Sequence, residues 1–273
     1  MQYVMFTKHL EGMDIPHIVE ALKRVGVAGA DLCVRSGYPV NPENVDVALP
    51  EAARRFADAG LSIPLVTAPG DFTRPDIHYA ERYYAACGEA GVKSIKLGYW
   101  RWKPDMNYWA EVDVVRRYLE GFQKLSEKTG VRTVIHNHSG HSMGLNSSSV
   151  MNLVKGFDPR FVGVFSDVGH LSVCGEPIDM ALNIVREYLA VIAFKDLLRV
   201  QRISPSGERN WNIDVVRMGT GYGEWKTALR TLQVMAFAGT VSFHSEYGGE
   251  PVETVIDLAR ADVRFIDQLR AEL

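Results

Sequence analysis

Cysteine is scarce in this chain. Cys33, Cys87 and Cys174 are the only three, far apart and without a CxxC pair. An odd, sparse set suits reduced thiols better than a disulfide framework, and it offers no cysteine zinc site. Charge of one sign is not in excess either. Thirty Lys and Arg stand against 33 Asp and Glu, a formal net charge of −3, so no basic stripe argues for nucleic acid. No apolar run is long enough to cross a bilayer. The start, MQYVMFTKHLEG, lacks the charged head and long apolar stretch of a secretion signal. These absences lead us to expect a cytoplasmic protein with a small-molecule partner, no nucleic acid and no membrane. A Gly-rich phosphate turn after the first apolar run is also missing, since FTKHLEGMD supplies none. That argues against an open doubly wound dinucleotide fold.

What is present is a rhythm. The chain has 273 residues, 47% of them hydrophobic, enough for one large core. Short apolar runs at 3–7, 29–34, 61–68, 92–100, 131–137, 161–167, 189–196 and 239–246 read as strands. Amphipathic stretches follow most of them: a helix after Asp14 stopped by Gly26, then others near 44–59, 75–91, 107–129, 147–156, 177–188 and 252–270. Eight strand–helix units in a chain of this length fit a single-domain (β/α)8 TIM barrel over 1–273. One long irregular piece, 197–221, follows the seventh strand. Its Trp, Ile and Val suggest a functional loop or small insertion rather than disorder.

The strand ends carry the chemistry. VIHNHSG places His136 and His138 on one side of a strand by simple alternation. VGVFSDVGH ends in Asp167 and His170, and VSFHSEYGG ends in His244 and Glu246. The other ends give Lys8 and His9, Asp31 and Arg35, Thr67, Trp100 and Arg101, and Lys195 with Asp196. A parallel barrel gathers all these ends at one mouth. Each has a plainer reading alone: His136 as an interior histidine, Asp167 as a cap, Lys195–Asp196 as a surface ion pair, Glu246 facing solvent, Trp100 as packing. The group reading needs one assumption, the fold. Imidazole and carboxylate together favour one divalent transition metal, Zn, Mn, Co or Ni, on His136, Asp167, His244 and Glu246. Such an ion would hold adjacent oxygens of a sugar and acidify the C–H between them.

The same segments resemble the xylose isomerase-like barrels, which include sugar and sugar-phosphate isomerases and epimerases, tagatose epimerase relatives and inosose dehydratases. GVAGADLCVR is similar to the second strand of that family, SDVGHL to its Asp-x-Gly-His sixth strand, and AFKD to its His-x-Lys-Asp seventh. VRMGTGYGEW is similar to the step before helix seven, and GTVSFHSE to the eighth strand. The resemblance implies metal positions of Glu, Asp, His and Glu, which here are His136, Asp167, Ala193 and His244. Only Asp167 keeps its type. His170 matches the substrate-contacting His of the family.

Two outcomes follow. A rebuilt site holds a metal, shifted towards Zn, Ni or Co, which we favour from the His-rich cluster. Alternatively the metal is lost, and Lys8, Arg35, Arg101, Lys195 and Arg217 hold an anionic sugar derivative. The expected function is a metal-dependent sugar or sugar-phosphate isomerase or epimerase working through an enediolate. Glu246, His138, His170 and Lys195 are its candidate catalytic groups. Lys8, Arg35, Trp100, Arg101 and Arg217 are the candidate substrate contacts, Trp100 by stacking. The rival readings are a non-catalytic sugar-binding barrel and a metal-dependent dehydratase or hydrolase. A homo-oligomer is compatible with the apolar content of the long fourth helix.

Overall fold

The computed structural model describes all 273 residues. Eight strands close into one parallel barrel: β1 (Gln2–Phe6), β2 (Gly29–Cys33), β3 (Ser62–Thr67), β4 (Ser94–Lys96), β5 (Arg132–His136), β6 (Val162–Asp167), β7 (Leu189–Phe194) and β10 (Thr240–Phe243), which returns to β1. Between them run α1 (Ile15–Val25), α2 (Val45–Asp58), α3 (Ala80–Glu89), α4 (Tyr108–Thr129), α5 (Ser147–Val154), α6 (Val168–Cys174), α7 (Ile178–Ile184) and α8 (Trp225–Val234). A closing helix, α9 (Val252–Ala271), follows the last strand. No helix is long and apolar enough to cross a membrane.

Local chemistry sets the ends. The Asp14 carboxylate accepts the His17 amide at the start of α1, and Gly26 closes that helix in the left-handed conformation. Asn107 accepts the amides of Trp109 and Ala110 to start α4. Because side chains alternate, each strand sends one set outward and the other inward. The outward set packs under the helices in a cluster of 64 buried residues. Inside the barrel, Leu65, Val134, Phe165, Val191 and Ala193 form a separate apolar plug. Two residues further along the strands, the inward positions turn polar: Thr67, Lys96, His136, Asp167 and Lys195. The apolar plug is therefore the floor of the mouth.

Stretch 197–221, expected to be irregular, is largely regular. β8 (Asp196–Ile203) and β9 (Arg209–Val216) pair antiparallel with Asp196 opposite Val216 and Ile203 opposite Arg209. Ser204 to Glu208 forms the turn. The alternation Trp211, Ile213, Val215 against Asn210, Asn212, Asp214 is the signal for it.

Candidate active site

The mouth holds a cavity of about 220 Å³. Its wall includes five basic side chains, Lys8, Arg35, Lys96, Arg101 and Lys195, against the single carboxylate of Glu246. His136, His138, His244, Tyr99 and Phe6 complete it. Asp167 and His170 lie just behind, both buried.

Asp167 is the hub. It ends β6 and caps α6, its Oδ1 accepting the His170 amide at 3.0 Å. Its Oδ2 faces His136 Nε2 at 3.1 Å and the Lys195 ammonium at 3.2 Å. A carboxylate only accepts, so His136 carries its proton on Nε2. Its Nδ1 then accepts the Tyr99 hydroxyl at 2.8 Å. Asn137 Nδ2 donates to the Asp167 carbonyl, and its Oδ1 accepts the Asp167 amide at 2.6 Å. Burial would raise the Asp167 pKa, but Lys195 and then His170 and His136 outweigh it and hold the carboxyl well below its ordinary range. Burial likewise opposes the charge on Lys195. Asp167 and Glu246 outweigh it, and the ammonium is pulled upward.

Glu246 is held by two lysines. Lys8 donates to Oε1 at 2.9 Å and Lys195 to Oε2 at 3.1 Å. Burial would raise this carboxyl too, but Lys195 and His244 bring it well below its usual value. His244 sits between two acids, with Nε2 3.3 Å from Asp31 Oδ2 and Nδ1 3.7 Å from Glu246 Oε2. Burial lowers its pKa, and the bonds to Asp31 and Glu246 reverse that, so the imidazole is shifted up. Asp31 is fixed by Thr67 Oγ1 at 2.6 Å and Ser242 Oγ at 3.0 Å.

His138 and His170 pack against each other, with ring centroids 3.9 Å apart and planes tilted by 38°. His138 Nδ1 donates to the Ser139 carbonyl at 2.8 Å, which leaves Nε2 as a lone pair. Burial is the main cause bringing His138 down to about 4, so the ring is neutral. His170 Nδ1 meets Ser139 Oγ at 2.9 Å, while its buried Nε2 has no hydrogen-bond partner. Burial, then Lys195, pushes His170 well below its ordinary pKa.

Of the residues expected at the mouth, Lys8, Arg35, Arg101, His136, His138, Lys195, His244 and Glu246 line the cavity. Two do not. The Trp100 indole donates to the Thr73 carbonyl at 3.1 Å and packs on the core, outside the cavity wall. Arg217 is exposed in the turn after β9. Lys195 and Asp196 are buried and unpaired with one another, so they are not a surface ion pair. Asp196 instead accepts the amides of Gly219, Gly221 and Gly223 and the Trp225 indole. A Cβ on Gly221 would collide with the Asp196 carboxylate, which is why that position is glycine.

Lys96 and Tyr99 were missed. Reading the fourth strand as far as residue 100 put Trp100 and Arg101 at its end, whereas β4 stops at Lys96. The correct signal was positional: Lys96 lies two residues beyond Ser94 on the inward face.

The donor atoms of His136, Asp167 and His244 lie within 4.8 Å of one another, the one buried group with metal-ligand potential. Its residue types suit a transition metal. Its surroundings do not. A histidine ligand must present a lone pair, yet His136 Nε2 bears a proton towards Asp167, and His244 is biased towards imidazolium by two acids. The Lys195 ammonium already occupies Asp167 Oδ2. Glu246, expected as the fourth ligand, is engaged by Lys8 and Lys195. As folded, these residues do not fit a divalent ion.

A family model described as xylose isomerase-like TIM barrel matches residues 12–269. The chain belongs to this family. No curated protein matches its sequence. Solved structures share the fold at low identity. The 3-keto-D-glucoside 4-epimerase YcjR from E. coli superposes with a TM-score of 0.75 at 14% identity, over 98% of this chain and 99% of that one. D-psicose 3-epimerase from Clostridium cellulolyticum H10 gives 0.74 at 13%, over 99% of each chain. The IolI protein with a bound zinc atom gives 0.78 at 16%, over 97% and 98%.

Proposed function

We propose that this chain is a carbohydrate isomerase or epimerase that moves a proton at a carbon beside a carbonyl, acting on a small anionic sugar derivative such as a sugar phosphate. The observation that carries this reading is the cavity wall, where five basic side chains surround one carboxylate and three imidazoles. A phosphate or carboxylate would be met by Lys8, Arg35 and Arg101 nearest the rim. The negative charge of an enediolate would develop against Lys195 and His244, whose charges are already oriented by Asp167, Asp31 and Glu246. His138 offers a neutral lone pair and Glu246 an ionised carboxylate as proton acceptors. Lys195 supplies, from within the chain, the positive charge that an ion supplies in a metal-dependent enzyme.

A metal-dependent form of the same reaction has one observation behind it, the buried His136–Asp167–His244 group. It requires Lys195 to leave Asp167 and His244 to lose a proton. Metal analysis of the purified protein separates the two forms. The test of the shared function is solvent deuterium incorporation into a panel of ketoses and ketose phosphates. Exchange in the phosphates above the neutral sugars is the expected result. Ligand binding without exchange anywhere in the panel would leave a sugar-binding barrel instead.

A further inference from the structure

We infer that Lys96 is a covalent catalytic residue, an amine that forms an imine with the carbonyl carbon of the substrate. This deepens the proposed function, because it rests on the substrate carrying a carbonyl, and it puts an enamine in place of the enediolate in the same proton transfer.

The geometry is unusual for a lysine. Lys96 ends β4 on the inward face, is 2% exposed, and lines the cavity. The other two lysines there are each tied to carboxylates, Lys8 to Glu246, and Lys195 to both Asp167 and Glu246. The Lys96 side chain has no hydrogen bond and no ion pair. Its nearest described partner is the Tyr99 ring, with Nζ 4.3 Å from the centroid. A buried ammonium without a counter-ion is costly, and the usual escape is loss of the proton. The groups that share its surroundings pull both ways: Arg35 and Lys195 disfavour its charge, while Asp31 and Glu246 favour it. Burial is the largest effect, Arg35 adds to it, and the amine falls to about 7. Desolvation with a cationic neighbour is the recognised means of making a lysine nucleophilic near neutrality.

The chemistry balances without an oxidant or reductant. The Nζ lone pair forms a C–N bond, and the C=O π electrons move to oxygen. Oxygen takes one proton and nitrogen gives one up, leaving a carbinolamine. A second proton from solvent lets the C–O bond break, water leaves, and a protonated imine remains. That imine withdraws electrons from the adjacent C–H as a metal-bound carbonyl would. Loss of the proton gives an enamine, return of a proton to carbon resets the imine, and water releases the product and free Lys96.

Reductive trapping tests this. The intact protein is incubated at neutral pH with dihydroxyacetone phosphate or pyruvate and sodium cyanoborohydride, and adducts are mapped by peptide mass spectrometry. The expected result is one dominant adduct on Lys96, with labelling about tenfold or more lower in both Lys96→Arg and Lys96→Met. Mapping on the wild type stands even if a variant fails to fold. Solvent deuterium exchange is followed in the same probes and the ketose panel. Exchange with no Lys96 adduct overturns the imine and leaves the proton-transfer function standing. An adduct mainly on Lys8 or Lys195 overturns the assignment to Lys96. Neither adduct nor exchange in any probe overturns both.

Discussion

The Lys195 ammonium lies 3.2 Å from Asp167 Oδ2, the same oxygen that faces His136 Nε2 at 3.1 Å. The pair is almost wholly buried, with side-chain exposures of 5% and 0%. Removing the cation would strand Asp167 and half of Glu246's support in a low-dielectric pocket. Breaking a buried pair by deleting one partner costs ~3–5 kcal/mol. We expect Lys195→Ala to lose stability of that order, seen as a lower melting temperature, and to reduce turnover about a hundredfold or more, as loss of an oriented charge at a reacting oxygen does. The same variant frees Asp167 Oδ2. Added zinc should therefore raise the melting temperature of Lys195→Ala and leave the wild type unchanged. A zinc-stabilised wild type would show that the ammonium does not occupy the ion's place.

A second carboxylate holds the backbone rather than the chemistry. Asp196 Oδ2 accepts the Gly219 amide at 2.8 Å and the Gly221 amide at 3.0 Å, and Oδ1 accepts the Gly223 amide at 2.9 Å. The Leu197 amide also donates to Oδ1 at 3.1 Å, and the Trp225 indole adds a fifth donor at 3.1 Å. Asparagine has one acceptor oxygen and turns an NH2 towards the remaining N–H groups. Leaving buried donors unpaired costs ~1–3 kcal/mol each, so Asp196→Asn should lose at least ~2 kcal/mol. Amide exchange should quicken at Gly219, Gly221 and Gly223 before the barrel strands. Uniform protection there would mean that other contacts define the turn.

Most of the barrel was legible because its strands announce themselves twice, by apolar runs and by the turn and cap residues around them. Asp14 and Gly26 bound α1 as expected, and the polar strand ends fall on one face as a closed parallel barrel requires. Boundaries were the weak point. Four residues of overreach on β4 exchanged Lys96 for Trp100 as the wall of the mouth. The hairpin β8–β9 was hidden by its polar outer positions and by being read together with the turn that follows. Helix α6 is hidden in the sequence because its seven residues start at Val168, directly after Asp167, where a cap and a site residue coincide. What no pattern could supply was the pairing. That Lys195 bridges Asp167 and Glu246, whereas Lys96 bridges nothing, depends on how the ends of β4, β6, β7 and β10 converge. Local sequence carries no record of that.

Asp262 on α9 is a buried acid outside the cavity. It accepts Ser245 Oγ at 2.7 Å and the Tyr247 hydroxyl at 2.8 Å, which ties the helix to the loop beyond β10. Burial is the main cause raising it to about 6 from 3.8. An acid raised on folding binds more protons when folded, so its contribution is complete below the unfolded value and is lost as pH rises through about 6. Asp262→Asn mimics the protonated form. Its stability relative to wild type should improve by ~2–3 kcal/mol between acid and mildly alkaline pH. Denaturant titrations of both proteins at several pH values would show it. A constant difference would mean that the carboxylate titrates at its ordinary pKa.

Lys96 gives a pH signature of the opposite sense. Its folded value of about 7 lies below the 10.5 of a free lysine. Between these two, the unfolded chain keeps a proton that the folded chain has released. Stability therefore gains from this residue as pH rises across that window, and below it the folded protein carries the full cost of a buried, unpaired charge. Lys96→Met has no such proton. The variant should exceed the wild type in stability at slightly acid pH, by ~3 kcal/mol if most of the shift is realised, and the difference should shrink as pH approaches the free-lysine value. Melting temperatures of the two proteins across neutral and alkaline pH provide the measurement. A flat difference would place the amine in contact with water or an anion, and a nucleophilic Lys96 would then lose its physical basis.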